Sequence, residues 1–505
     1  MLMACRCLTA RESEKPSHQG KQMTGVEKLT GATLNLGSRW NAIDWRKAEK
    51  EVRRLQTRIA KAVKSGKTNR IKALQWVLTH SLSAKFLAVK RVASSRGART
   101  PGVDGAVWNT PAKKMRGALS LQRKGYRAMP LRRVLIPKRS GKMRPLGIPT
   151  MKDRAMQALY LLALEPVAET LADANSYGFR PCRSCRDAIG QCFIALGRKY
   201  SPQWVLDADI KACFDWISHD WLLKNIPADR KMLEQWLRCG FVQNRKLFPT
   251  KDGTPQGGVI SPTLANMTLD GLENAVRKVS HIRRDKVNFI RYADDFIVTA
   301  SSREHLEQAV LPAIGAFLKE RGLSVSPEKT RVVHIEQGFD FLGQNIRKFR
   351  NKLIIKPSKD SMKAFVEKAK SIIREARGWN AGSLIEKLNP VIRGWANYHR
   401  FIQAARTFGK MHEILSRSLL KWAEHNNSGR TPKWIRNRFF GLSAKKRFSS
   451  MATDGRGKPK LLELISPRDI RIVRYIKIKG ESNPFNPEWL DYFRMRRVAN
   501  NWSPC

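Results

Sequence analysis

Two adjacent carboxylates lie between two strongly apolar runs at Tyr292-Ala293-Asp294-Asp295. Residues 287–291 and 296–299 are rich in β-branched and aromatic side chains, which is typical of buried strands. The sequence therefore predicts a β-hairpin with Asp294 and Asp295 at its tip. Placing such a pair beside a core costs free energy unless a cation or hydrogen bonds compensate it, and Mg²⁺ prefers carboxylate oxygens. The alternative is a solvated turn, where Asp is common.

The charge of the chain is strongly positive. It carries 96 Lys and Arg residues against 42 Asp and Glu, a formal net charge of +54 over 505 residues. The excess is spread along the chain and predicts a polyanionic partner, of which nucleic acid is the best candidate. No apolar run approaches the roughly 18–20 residues that span a bilayer, so no membrane partner is expected.

The eight cysteines do not form the pattern of a disulfide scaffold. Cys182 and Cys185 have the spacing of half a zinc site, but no second pair or histidine follows at a suitable distance, so no zinc role is expected. The cysteine usage indicates a reducing, cytosol-like compartment, and a cytoplasmic location is the expectation.

A polymerase-type magnesium site needs a third carboxylate from a separate element, because two ions must be bridged by oxygen ligands. Asp209 is the best candidate, since a short predicted strand over residues 204–209 ends there. Phe214 follows five residues later. Beside the sugar of an incoming nucleotide, its ring would clash with a ribose 2′-hydroxyl and so select deoxynucleotides. Asp207 and Asp215 are rival carboxylates that we expect to be solvated or structural. The Gly-rich stretch 253–262 lies between the carboxylate elements and predicts a close approach of backbone to a template or nucleotide.

The remaining pattern predicts an α+β protein. Basic amphipathic helices are expected over residues 43–63 and 71–89, followed by a loop at residues 100–105. A basic β-hairpin over residues 131–149 leads into an apolar helix that begins near Met151. Beyond residue 200 short strands alternate with helices, and after about residue 360 we expect helices only.

These motifs resemble those of a known family. Asp209 to Phe214, the Pro255-Gln256-Gly257 stretch and the carboxylate hairpin match, in order and spacing, the palm motifs of reverse transcriptases. The match is closer to group II intron-encoded proteins, which combine reverse transcriptase and maturase, and most similar to their chloroplast-like subgroup in bacteria. Further blocks typical of that family lie at residues 100–105, 144–149, 176–181, 339–343 and 390–399.

The resemblance implies specific roles for residues of the site. Asp209, Asp294 and Asp295 would be the catalytic residues and would bind two Mg²⁺ ions. An incoming dNTP would contact a second group of residues in the fingers and palm. Lys138 and Arg144 would hold its triphosphate, as lysine and arginine suit phosphate groups. Phe214 would select the sugar, Gln256 would lie along the nucleotide or template, and Lys329 would assist the leaving pyrophosphate, with a solvated lysine as the alternative.

The carboxyl-terminal third is basic, with 11 Lys or Arg and 2 Asp or Glu in residues 401–450. Basic residues supply phosphate affinity, and exposed aromatic side chains stack on unpaired bases. The alternative is a solvated helical bundle in which Trp395 and Trp422 belong to the core. The candidates for RNA binding are Arg393, Tyr398, Lys433, Trp434, Arg436 and Arg438.

The family resemblance implies a right-hand polymerase with fingers and palm, followed by an α-helical thumb or maturase domain. Its partners would be a group II intron RNA, an RNA template with primer and a DNA target, in a ribonucleoprotein. No nuclease motif is recognised after residues 483–489, so mobility would proceed by reverse splicing with priming from another 3′ end. The predicted boundaries are a flexible leader (1–38), a basic helical extension with the first fingers segment (39–110), fingers and palm (111–350), thumb (351–450) and a basic DNA-binding-like segment (451–505).

Two alternative functions stay open. One is a splicing cofactor whose polymerase site is a relic, although the three aspartates argue against it. The other is a reverse transcriptase recruited to a host task and not tied to an intron, although residues 390–399 speak against it.

Overall fold

The computed structural model describes residues 35–137, 141, 143–453 and 457–500. The leader up to residue 34 and Lys138 lie outside the described residues. The α+β class is confirmed, with helices throughout and four separate sheets within the described residues. None of the helices in the described part of the chain combines the length and apolar composition needed to cross a membrane.

The amino-terminal region is a layer of helices. In α2 the regularly spaced apolar residues Val52, Leu55 and Ile59 are buried, and Val63 is half-buried. The helix predicted over residues 71–89 is two helices, because Ser81 has an extended backbone (φ −64°, ψ 131°). Serine favours such helix boundaries. The helices are α1 Leu36–Asn41, α2 Trp45–Lys64, α3 Thr68–His80, α4 Leu82–Ala93 and α5 Pro111–Leu119.

The predicted basic hairpin and the apolar helix after it are both present. Strands β1 Leu131–Pro137 and β2 Met143–Ile148 pair antiparallel. Helix α6 Met151–Leu171 starts at Thr150, whose hydroxyl accepts a hydrogen bond from the Asp153 amide. It is buried along most of its length because α2, α3 and α4 pack on it. A second buried helix, α7, spans Cys185–Leu196.

The next part of the chain contains the sheet that carries the three predicted carboxylates, which we name the central sheet. It has four antiparallel strands in the order β6-β7-β3-β8. The elements are β3 Trp204–Asp209, α8 Cys213–Trp216, α9 His219–Asn225, α10 Arg230–Arg238, β4 Phe241–Gln243, β5 Lys246–Phe248, α11 Ser261–Leu269, α12 Leu272–Lys278, α13 Ile282–Asp285, β6 Asn288–Tyr292, β7 Asp295–Ala300, α14 Arg303–His305, α15 Leu311–Lys319 and β8 Arg331–His334.

Both faces of the central sheet are covered, so its strands are apolar on both sides. Leu206 and Phe296 face a core shared with the amino-terminal helices and α6. Val205 and Ile297 face a second core built on α7 and the following sheet. Strands β4 and β5 instead extend the basic hairpin, in the order β2-β1-β4-β5.

A three-stranded sheet then connects to a helical bundle with its own core. The expectation of helices only after residue 360 was wrong, because a β-hairpin follows the bundle. Its flanking residues Phe448 and Leu464 belong to the core of the bundle, so the predicted boundary at residue 450 falls inside a strand. The elements are β9 Phe339–Phe341, β10 Gln344–Phe349, β11 Lys352–Pro357, α16 Lys359–Glu375, α17 Ala381–His399, α18 Ala405–Asn426, α19 Pro432–Phe440, β12 Ser449–Thr453 and β13 Pro459–Glu463.

Residues 473–500, which we name the return segment, fold back onto the central part of the molecule and include α20 Leu490–Ala499. The fully buried carboxylate of Asp187 on α7 accepts hydrogen bonds from the Ile478 amide at 2.7 Å and from Arg496 at 2.6 Å. Arg53 on α2 contacts the carbonyl oxygen of Pro484. The return segment therefore joins α7 to the amino-terminal helices.

Candidate active site

The carboxylate hairpin has the predicted form. Tyr292 pairs with Asp295 at the ends of β6 and β7, which leaves Ala293 and Asp294 as the turn. Ala293 has φ 59°, a left-handed conformation that favours glycine and asparagine. The turn holds because neighbouring residues fix its backbone, and it directs two consecutive carboxylates to the end of the central sheet.

The predicted third carboxylate lies beside this turn. Asp209 is the last residue of β3 and is the register partner of Asp295 on β7. The Ile210 amide also donates to the Asp294 carbonyl oxygen at 3.3 Å. The structure thus brings Asp209, Asp294 and Asp295 together at one end of the two inner strands.

The rival carboxylates have partners of their own. Asp207 accepts two hydrogen bonds from the guanidinium of Arg331, at 3.1 and 3.0 Å. Asp215 accepts one at 3.0 Å from the side-chain amide of Gln256. Both aspartates thus have hydrogen-bond partners outside the cluster of Asp209, Asp294 and Asp295.

The three clustered carboxylates repel one another in a partly desolvated place. Burial, followed by the negative charges of Asp294 and Asp209, raises the pKa of Asp295 to about 7. Burial also raises the pKa of Asp294, to which Asp209 contributes as well. The positive charge of Lys329 partly offsets both shifts, and that of Arg144 partly offsets the shift of Asp294. Concentrated negative charge of this kind is stabilised by a cation.

Lys329 lies in this cluster. Its ammonium group contacts the Asp209 carboxylate, and this hydrogen bond raises the pKa of Lys329. The loop before it is fixed, because the Ser326 amide donates to the Asp209 carbonyl oxygen at 2.8 Å. The lysine side chain is 67% exposed, so the ammonium can exchange this carboxylate for another anion.

A hydrogen-bonded chain links the basic hairpin to α8, the short helix that follows β3 of the central sheet. Arg144 Nε donates to Gln256 Oε1 at 2.7 Å, and Gln256 donates onward to Asp215. The Gly147 amide donates to the Gln256 carbonyl oxygen at 2.9 Å. At Gly257 (φ 124°) a Cβ atom would lie 2.5 Å from the Gly147 carbonyl oxygen, so only glycine fits this approach. Two residues predicted to bind the nucleotide, Arg144 and Gln256, are therefore neighbours.

Phe214 joins the same region from the other side. Its carbonyl oxygen accepts a hydrogen bond from the Thr254 amide at 2.7 Å, which ties it to the Gly-rich loop. Its half-buried ring meets the ring of Phe179 edge-on, with centroids 6.3 Å apart and planes at 81°. Lys138 lies outside the described residues.

The donor set suits a hard divalent cation, since it consists of carboxylate oxygens. Within the described ranges no three or more His, Cys, Asp or Glu side chains already surround one common metal position. The lysine contact at Asp209 is consistent with this, because Lys329 supplies the positive charge there. Cys182 and Cys185 are half-buried and likewise belong to no such group.

The predicted RNA-binding residues lie on two helices of the bundle. Arg393 is exposed on α17, whereas Tyr398 on the same helix is half-buried and donates to the Leu342 carbonyl oxygen at 2.8 Å. On α19 the ring of Trp434 is 38% exposed and lies 5.2 Å from the Arg430 guanidinium. Lys433, Arg436 and Arg438 on α19 are exposed. The contact of Tyr398 supports the junction of α17 with the preceding sheet.

Sequence reasoning missed the residues that hold the hairpin turn from behind. Arg291 is completely buried, pairs with Asp270 at 2.6 Å and donates to the Ala293 carbonyl oxygen at 3.4 Å. It also donates to Asn266, whose side-chain amide donates to the Gly178 carbonyl oxygen at 2.7 Å. The available signal was a single cation inside an otherwise apolar strand, which is costly to bury unless it is paired.

Three family models match successive parts of the chain. "N-terminal domain of reverse transcriptase" matches residues 40–121, "Reverse transcriptase (RNA-dependent DNA polymerase)" matches residues 136–346, and "Group II intron, maturase-specific domain" matches residues 362–440. A relative, Protein YkfC of Escherichia coli K12, is 32% identical over 308 residues, which cover 52% of this chain and 80% of YkfC.

The chain belongs to the group II intron-encoded reverse transcriptases and maturases. Among other members, the group II intron-encoded protein LtrA of Lactococcus lactis is 30% identical, over 54% of this chain and 56% of LtrA. A 91 kDa protein in the cob intron of Schizosaccharomyces pombe is 27% identical, over 69% of this chain and 53% of that protein. The chain thus spans about half the length of these two intron-encoded relatives.

In this reverse transcriptase and maturase, the residue ranges that the family models match correspond to separate parts of the fold. The polymerase model begins at residue 136, near the end of β1, and covers β2 and the central sheet, and the maturase-specific model covers most of α16 and all of α17 to α19. Among solved structures, telomerase from Candida albicans with a fragment of telomeric RNA matches at 15% identity and a TM-score of 0.36, over 63% of each chain. That similarity is too low to carry an argument.

Proposed function

We propose that this chain is an RNA-directed DNA polymerase that also binds a group II intron RNA and assists its splicing and mobility. The polymerase part rests on one observation above all. Asp209 pairs with Asp295 across the inner strands of the central sheet, and Asp294 stands beside them in the turn. Their position, in a region that matches the reverse transcriptase family, favours nucleotidyl transfer.

The three aspartates would hold two Mg²⁺ ions, because carboxylate oxygens are the ligands that a hard cation prefers. When bound, the metal would supply the positive charge that stabilises the attacking and leaving oxygens of phosphoryl transfer. The reaction is in-line attack of a primer 3′-hydroxyl on the α-phosphate of a dNTP.

Other side chains of the site would position the substrate. Arg144 would bind the triphosphate together with Lys138, since its charge acts on the Asp294 carboxylate and its side chain is held by Gln256. Lys329 would leave Asp209 and neutralise the departing pyrophosphate. Phe214 would exclude a ribose 2′-hydroxyl by contact with its ring. The roles of Arg144 and Lys329 are supported by the effect of their charges on the Asp294 carboxylate, and that of Phe214 by its backbone hydrogen bond to the Gly-rich loop.

Intron binding is supported by the maturase-specific match and by the charge of the bundle. Lys433, Arg436 and Arg438 are exposed around Trp434, which combines phosphate affinity with a surface for base stacking. Arg393 adds an exposed guanidinium on α17. We infer that this face binds intron RNA in a ribonucleoprotein that also contacts a DNA target.

The polymerase proposal is tested by primer extension on an RNA template. Asp294→Ala and Asp295→Asn are expected to abolish extension, because each removes a metal-binding carboxylate. The matched control is Asp207→Asn, which changes a carboxylate two residues from Asp209 on the same strand but paired with Arg331. We expect this control to retain extension. Equal loss in all three variants, or full activity of Asp294→Ala, would contradict the proposal.

The maturase proposal is tested by splicing of the RNA that surrounds the gene, at low Mg²⁺, with and without the protein. Asp294→Ala is expected to promote splicing as well as the wild type. A triple variant, Lys433→Ala, Arg436→Ala and Arg438→Ala, is expected to bind this RNA more weakly, with a log–log salt slope smaller by about 2. Wild-type extension without any effect on splicing would leave a reverse transcriptase with another purpose.

A further inference from the structure

Phe179 has an unusual conformation next to the site. Its φ is 57°, a left-handed backbone that bulky side chains rarely adopt, and its side chain is 53% exposed. Exposure of a large apolar ring together with backbone strain offers folding no benefit. Strain of this kind is concentrated at functional sites, where the surrounding structure enforces it.

The backbone on both sides of Phe179 is fixed to the carboxylate hairpin. The Tyr177 amide donates to the Arg291 carbonyl oxygen at 2.9 Å, immediately before the turn. A Cβ atom on Gly178 would lie 2.4 Å from the Ala293 amide nitrogen, so the two backbones are in direct contact. Phe179 therefore keeps a constant position relative to Asp294.

The residue after Phe179 is anchored as firmly. Arg180 forms a buried double hydrogen bond with Glu169, at 2.8 and 3.0 Å, with both side chains less than 5% exposed. Its guanidinium also donates to the carbonyl oxygens of Asp173 and Ser176, at 2.7 and 2.9 Å. With its neighbours held, the strained backbone of Phe179 cannot relax, and its ring stays on the side of Phe214.

The two rings form one contact between separate parts of the chain. Phe214 follows β3 and is bonded through its backbone to the Gly-rich loop, whereas Phe179 belongs to the loop behind the carboxylate hairpin. The edge-on geometry, 6.3 Å between centroids and 81° between planes, is a favourable aromatic arrangement. An incoming sugar that pushed Phe214 aside would have to break this contact.

We propose that Phe179 is a positioning residue that holds the Phe214 ring and thereby sets the discrimination against ribonucleotides. The inference rests on the proposed function. There the Phe214 ring alone selects the sugar, whereas here the Phe179 ring contributes by holding the Phe214 ring. A Phe214 ring that is held in place rejects a 2′-hydroxyl more strongly than a ring that can move, because specificity depends on the free-energy cost of accommodating the wrong substrate.

The test is the ratio of kcat/KM for a dNTP to that for the matching ribonucleotide, in single-nucleotide extension on an RNA template. Phe179→Ala is expected to lower this ratio by about 2- to 12-fold, the range that loss of one aromatic pair supports. Phe179→Tyr keeps an aromatic ring and should restore the ratio. The matched control is Phe193→Ala, which removes an equally exposed phenylalanine, 51% exposed, from α7.

A double variant separates positioning from general damage. Phe179→Ala should lower the ratio no further in a Phe214→Ala background, because the contact is already lost. The inference would be overturned if the effects of the two substitutions multiply, if the ratio is unchanged in Phe179→Ala, or if both rates fall equally. In each of these cases the polymerase proposal would still stand. Failure of the wild type to extend any primer would overturn both.

Discussion

At the scale of single residues, Arg291 explains how a turn with two carboxylates is held in place. It is a fully buried cation whose charge is balanced by Asp270, and it donates to the turn through the Ala293 carbonyl oxygen. Burial raises the pKa of Asp270 to about 6, although the charge of Arg291 lowers it. The desolvation of the two charges and their mutual attraction thus oppose each other, and the loss of either partner lowers the stability of the fold.

Arg291→Met is expected to lower the free energy of unfolding by about 3–5 kcal/mol, because it leaves the Asp270 carboxylate buried and unpaired. Adding Asp270→Asn should recover part of that loss, since the amide carries no charge. The measurement is the urea midpoint of both variants at neutral pH. A double variant that is less stable than Arg291→Met alone would contradict the ion-pair account.

At the scale of elements, the junction between the bundle and the β9–β11 sheet depends on one neutral histidine. His399 at the end of α17 is fully buried and shares hydrogen bonds of 3.0 Å with Ser361 on α16 and with Gln344 on β10. Burial lowers its pKa to about 4. Three elements therefore meet at a ring that must remain uncharged.

This junction is expected to weaken in acid. The unfolded histidine takes up a proton near pH 6.5, whereas the folded one resists until about pH 4. The unfolded state therefore binds more protons in this window, and stability falls as the pH drops from 6.5 to 4, by roughly 3 kcal/mol in total. His399→Gln should reduce this slope in urea unfolding at several pH values. The control His425→Gln, at an exposed position of α18, should not change it.

At the scale of the whole molecule, the return segment joins regions that are distant in sequence. Asp187 on α7 is fully buried, and its carboxylate accepts hydrogen bonds from the Tyr475 hydroxyl, the Ile478 amide and the Arg496 guanidinium. Arg183, close to the Phe179 loop, donates to the Gly480 carbonyl oxygen at 2.6 Å. The segment predicted to bind DNA is thus also a structural part of the polymerase region.

Arg496→Met is expected to destabilise the polymerase region by about 3–5 kcal/mol, because Asp187 then lacks its buried counter-charge. Arg494→Met is the matched control, since Arg494 lies two residues away on α20 with its side chain 82% exposed. Limited proteolysis should cut near α7 faster in the first variant only. Equal resistance of the two variants would show that the return segment does not support α7.

The parts that sequence alone predicts are those encoded locally. The apolar runs around Asp294 and the basic hairpin before α6 follow from composition and periodicity over a few residues. The contact of Arg144 with Gln256 and the enclosure of Asp187 do not, because they join segments that are far apart in sequence and share no local pattern. The split at Ser81 was missed because apolar spacing continues across it, and the β12–β13 hairpin because its strands are short and polar.

The distance along the chain between Asp187 and Arg496, 309 residues, has a consequence in time. A ribosome that adds about 5–20 residues per second needs roughly 15 to 60 s to deliver the arginine after the aspartate. During that interval the carboxylate of Asp187, in the first turn of α7, lacks its Arg496 partner. The polymerase region can therefore complete its folding only when translation has almost passed the last described helix.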